Sequence, residues 1–255
     1  MTPQIAVSIA TFGVSLAIML SSIEQLARRQ HLEPFLEPGM GRAASPAIAA
    51  PSTLLSLGKA LAALGCLAEL VLGLLPGPFL AILTALALVA YWRRPVGGDG
   101  ADQLQLIILS YVSLCYLLSP ERAAHWAALF ISAQMIVSYC TTGWAKLLSS
   151  TWRKGDVLAQ IFATHTYGHA GAAGFLYRRP ILHRLASWTP IAIFSLFVVA
   201  FFQPYDWVFF TFMAAAVAFH VGTAVFMGLN NFMLTFPAAA PCLVYTYQLV
   251  HAGPT

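Results

Sequence analysis

Long apolar runs follow one another along the chain, separated by short polar turns, and within a run the apolar positions do not alternate with polar ones. Hydrocarbon is crossed by about 20 mostly apolar residues in a helix. The backbone must then satisfy its own hydrogen bonds, which continuous runs do as helices and alternating ones as barrel strands. The pattern therefore predicts membrane helices over Ile5 to Ser22, Thr53 to Leu75, Pro78 to Trp92, Leu104 to Leu118, Ala123 to Lys146, Trp188 to Phe202, Trp207 to Met227 and Phe232 to Val250. The third, fourth and sixth are short for a crossing, so the expected count is about seven or eight spans in an all-α polytopic bundle. The first run lacks a basic stretch before it and small-residue cleavage chemistry after it, and reads as a retained helix.

Between the spans only two stretches are long, Glu24 to Ser52 and Leu147 to Ser187, and neither has the size for a core of its own. The expectation is a single transmembrane domain over residues 1–255. The first stretch, with Pro34, Pro38, Gly39, Gly41 and Pro46, reads as a surface loop. The second holds an interfacial segment at about 151–187. In it Leu158, Ile161, Phe162 and His165 recur at helical spacing, as expected of an interfacial or re-entrant amphipathic helix.

Composition agrees with the pattern: 59% of the 255 residues are hydrophobic and 9% charged, too little polar surface to clothe a water-soluble globule. The charges are unevenly placed. With eight spans, Arg28, Arg29, Arg42, Arg93, Arg94, Arg153, Lys154, Arg178, Arg179 and Arg184 fall on one side and Arg122 on the other. By the positive-inside rule the basic loops are cytoplasmic, and the net charge of +4 marks topology and contact with membrane lipids. No basic run interleaved with aromatics offers a groove for nucleic acid. Cys66, Cys115, Cys140 and Cys242 sit singly in apolar runs, and His165 and His169, four apart, come without an HExxH glutamate, so no metal is expected.

Ionisable groups inside spans are costly and become functional candidates. Lys59, near a helix end, is read as snorkelling to headgroups. Glu69, among Leu67, Ala68, Leu70 and Val71, is either an internal salt bridge or an acid or base. His220, between Phe219 and Val221, is either an interhelical hydrogen bond or a supporting catalytic group. Lys146 ends the fifth span and is either the plain marker of that end or, partly desolvated, a general base.

The pattern Gly143-Trp144-Ala145-Lys146-Leu147 followed by Trp152-Arg153-Lys154-Gly155 resembles the signature of the horizontally transferred transmembrane superfamily, which includes the vitamin K-dependent gamma-glutamyl carboxylases. Phe219-His220-Val221 and Met227 to Phe232 also look like that family's late helices. The resemblance implies that Lys146 is the catalytic base, with Glu69 and His220 in support. It implies that Gly143, Trp144, Trp152, Gly155, His165 and Asn230 line a cavity or bind substrate. A reduced quinone of the vitamin K type is the cofactor implied, and a peptide or lipid the substrate. The long extra-membrane region of the carboxylases is missing between these spans, and Asp99 to Leu104 stands where they carry a histidine, so the implied reaction is modification in a broader sense. A small bacterial-type member in the inner membrane is the expected setting. Two other readings compete: a non-enzymatic assembly or maturation subunit acting with a companion protein, and a small transporter.

Overall fold

The computed structural model describes residues 1–27, 52–74, 77–93, 98–165 and 168–252, and the loop expected around Pro34 to Pro46, with Arg28, Arg29, Arg42 and Arg94, lies outside them. Twelve helices and no strand occur among the described residues. They are α1 (Pro3–Ala27), α2 (Ser52–Val71), α3 (Pro78–Arg93), α4 (Gly100–Leu118), α5 (Ala123–Leu148), α6 (Ser150–Arg153), α7 (Val157–Phe162), α8 (Ala170–Tyr177), α9 (Pro180–Ser195), α10 (Phe197–Phe202), α11 (Asp206–Met227) and α12 (Asn230–His251).

Six of these, α1, α2, α4, α5, α11 and α12, are long and apolar enough to cross a membrane. The chain is an integral, multi-pass, all-α membrane protein. The fourth expected span is longer than its apolar run, because Asp99 caps α4 by accepting from Asp102 N at 2.8 Å and starts the helix at Gly100. The third and sixth expected spans are present as shorter helices. Ser21, Lys59, Tyr91 and Asp102 line one crevice, so the ends of α1 and α3 meet the starts of α2 and α4. Glu69 and Gly77 meet at the far end of α2, so α3 runs back along α2. The sixth span is α9 and α10, interrupted at Leu196. Pro190 inside α9 removes one helical hydrogen bond a turn and a half earlier.

The outer surface is as apolar as the core. On α2 the exposed face is Leu54, Leu57, Leu61 and Leu64, while Lys59, Cys66 and Glu69 are buried. A large exposed leucine face of this kind is expected against hydrocarbon and not against water. α1 lies at the centre, packed on α2, α12, α5 and α4. Its Gly13 lets α12 close in, since a Cβ there would collide with Ala238. Close approach at small residues is how membrane helices gain contact energy, and it accounts for the alanine run at Ala238 to Ala240 inside the chain itself. Met1 donates its amino group to Gln248 at 2.9 Å, so both ends of the bundle's chain lie on one side.

The segment after α5 differs from a single amphipathic helix. It is three short helices, with the chain turned at Gly155 between α6 and α7. Val157, Ala159 and Phe162 are the buried positions of α7, and Ala159 and Phe162 form a small cluster with Ala173 and Leu176 of α8. Ile161 is only partly buried, and His165 is exposed beyond the end of α7. The collar packs on α9, where Ala159 N donates to His183 Nε2 at 3.0 Å and Leu158 N to Ser187 Oγ at 3.4 Å.

Candidate functional site

The residues of the Gly143 to Gly155 pattern fold into one ledge where α5 ends. Gly143 is buried against α9, and a Cβ on it would collide with the backbone of Phe194 and Ser195. One residue on, Trp144 Nε1 donates to Ser195 O at 3.2 Å. That carbonyl ends α9 at the Leu196 interruption, where helix termini leave acceptors to be filled. Ser149 is extended, α6 turns the chain back, and Trp152 is brought beneath Lys146, whose Nζ stands 5.0 Å from the ring centroid. Gly155 has φ +78, a conformation side chains resist, and a Cβ there would press on Arg184 and Trp188. Gly143, Trp144, Trp152 and Gly155 thus each have a mechanical task, and together they leave the half-buried Lys146 ammonium on an aromatic face.

His220 lies elsewhere, in a dry aromatic sleeve. It is 3% exposed and stacks on Phe236 at 4.1 Å between centroids and 11° between planes. Tyr139, Phe232, Phe194 and Phe219 complete the sleeve. Nε2 shares a 3.3 Å hydrogen bond with Tyr139 OH, and Nδ1 has no partner among the described residues. Tyr139 precedes Lys146 by two turns of α5, about 10 Å along the axis.

Glu69 is farther still. It is buried at the end of α2 away from the basic loops, and its Oε2 accepts from Gly77 N at 3.2 Å. The carboxylate closes the α2 to α3 turn and faces the amino end of α3, where negative charge is favourable. α2 packs on α1 and α3, so the body of the bundle stands between Glu69 and the ledge. Asn230 is exposed at the first position of α12, and His165 is exposed as well. His169 caps α8, its Nδ1 accepting from Ala172 N at 3.0 Å. The structure therefore joins Gly143, Trp144, Lys146, Trp152 and Gly155, and holds Glu69, His220, His165 and Asn230 apart from them.

A second polar site was not anticipated. Lys59 does not run out along the lipid face; it is 6% exposed and lines a crevice of about 40 Å³ with Ser21, Tyr91, Asp102 and Gln105. Gln105 Nε2 donates to Thr235 Oγ1 at 2.8 Å, so α12 also braces it. The signal in the sequence was the pairing of two early-span polar residues, Lys59 and Asp102, of opposite charge.

No protein-family model matches the chain, and comparison with curated proteins and with solved structures finds no similar one.

Proposed function

We propose that the chain is a membrane-embedded modifying enzyme resembling the vitamin K-dependent carboxylases of the horizontally transferred transmembrane superfamily, with Lys146 as general base on a peptide or lipid substrate. The observation that supports this reading is the Lys146 and Trp152 pair at 5.0 Å, on a ledge that Gly143, Trp144 and Gly155 pack against α9. An amine half-buried on an aromatic face is shielded from bulk water yet reachable from the interface. The exposed indole of Trp144 beside it offers a flat apolar face, which supports a reduced quinone as the cofactor in this reading. When bound, such a quinol supplies the reactive carbon or oxygen acid whose proton a base must take. Lys146 holds that proton, Trp152 keeps the ammonium in place, and Gly143 with Gly155 fixes the distance between them. Glu69 and His220 serve the scaffold in this reading, as turn anchor and core ring. The basic end is the cytoplasmic one, and a bacterial inner membrane is the setting.

A second reading, a non-enzymatic assembly or maturation subunit for a companion protein, is favoured by the separation of Lys146, Glu69 and His220 into three environments. One experiment divides the two. Wild type and Lys146→Ala are purified in mild detergent, shown to be folded, and extracted for mass spectrometry of bound small molecules. The enzyme reading expects a stoichiometric quinone or lipid that is lost or altered in the variant. A second polypeptide retained equally by both, with no such molecule, would replace it with the partner reading.

A further inference from the structure

The interface of α1 and α2 carries polar groups that neither the ledge nor the aromatic core uses. Thr11, Ser15 and Ser22 of α1 are fully buried; the Thr11 and Ser22 hydroxyls have no hydrogen-bond partner among the described residues, and Ser15 has only the weakly bonding Cys66 thiol. Spacings of four and seven put all three on one face of the helix. Hydroxyls in membrane helices commonly bond back to a carbonyl one turn earlier, as Thr84, Ser132 and Thr211 do in this protein. Three on one face that do not, two unpaired and one weakly bonded, need another partner, because each buried unpaired hydroxyl costs about 1–3 kcal/mol. Water is the usual remedy for such groups inside a protein.

α2 presents matching chemistry. Ser56, Lys59 and Glu69 are its buried polar positions, with Cys66 and the small Ala62 and Ala63 among them, and Ser56 Oγ donates to Gln25 Oε1 of α1 at 3.0 Å. Cys66 sits against Ser15 and close to Glu69. At the basic end the same interface opens into the crevice of Lys59 and Asp102, whose roughly 40 Å³ has room for about three or four waters at about 10–15 Å³ each.

We propose that the α1 and α2 interface is a hydrated seam that passes protons between the Lys59 and Asp102 crevice and the Glu69 carboxylate. A hydroxyl or water in the seam accepts a proton on one side as it releases one on the other, so each O–H bond formed matches one broken and no redox partner is needed. The proton that enters at the crevice ends on Glu69, beside the α2 to α3 turn. This path shares no residue with the Lys146 ledge and stands independently of that reading.

The test is proton flux into vesicles that carry the full chain, an imposed pH gradient and a trapped pH-sensitive dye. Wild type should dissipate the gradient severalfold faster than protein-free vesicles of the same lipid. Ser15→Ala and Glu69→Gln should bring the rate close to the protein-free leak, and Thr211→Ala, on the exposed face of α11, should not change it. Glu69→Gln keeps an oxygen for Gly77 N; should it fail to fold, Ser15→Ala, which removes a hydroxyl with only a weak thiol partner and adds no bulk, decides alone. A wild-type rate equal to that of protein-free vesicles, or a folded variant of either residue at the wild-type rate, overturns the proposal.

Discussion

Gly143 is the position at which a single atom has the largest mechanical consequence for the ledge. Its α-carbon faces the backbone of Phe194 and Ser195, which cannot swing aside as a flexible side chain can. Gly143→Ala should therefore destabilise the protein by about 1–3 kcal/mol, seen as a lowered thermal midpoint in detergent. His220 makes a different case. His220→Phe keeps the stack on Phe236 and removes the unpaired Nδ1, but it takes the Nε2 partner from the buried Tyr139 OH, so it should cost about 1–3 kcal/mol. His220→Ala should lose about 3–5 kcal/mol, in line with other large-to-small changes in packed cores. Thermal unfolding of the two side by side separates a core ring from a ligand. The sequence picked out Lys146, Glu69 and His220 by a sound rule, that ionisable groups in spans are exceptional. It did not reveal that they occupy three places, because distance between spans is set by packing and each span alone looks equally plausible. For Lys59 the rule about snorkelling near helix ends misled, since burial on the inward face depends on what α4 brings opposite.

At the level of elements, apolar continuity located all six helices that are long and apolar enough to cross, two further expected spans are shorter helices, and the other differences lie at the ends. α4 is longer than its apolar run because a cap, not hydropathy, sets its start. α9 begins eight residues before the expected Trp188, since its first turns support the collar of α6 to α8 and need not be apolar. The amphipathic reading of the collar carried a helical period through Gly155, where the backbone turns instead. The α2 to α3 connection rests on one carboxylate. Glu69→Ala should cost about 0.5–2 kcal/mol by leaving Gly77 N unpaired, with Glu69→Gln recovering much of it, as read by thermal unfolding.

Across the whole molecule the charges and the rings agree about two ends. Trp92, Trp144, Trp152 and Trp188 lie at the basic end with Lys146, Arg153, Lys154, Arg178, Arg179 and Arg184, while Trp126 and Trp207 lie toward the other, the distribution of an interfacial aromatic belt. Arg179 rests on Phe175 at 4.3 Å, as Lys146 rests on Trp152, so two of these cations are held at aromatic faces. The termini share the opposite end, which requires an even number of crossings. The most direct measurement is site-directed labelling on sealed membranes of one orientation, in a background lacking Cys66, Cys115, Cys140 and Cys242. Single cysteines at Thr2, Glu121, Lys154 and Arg178, all exposed, are treated with an impermeant thiol reagent. The account predicts that Thr2 and Glu121 label together from one side, and Lys154 and Arg178 together from the other. Labelling of Glu121 and Lys154 from the same side would contradict it.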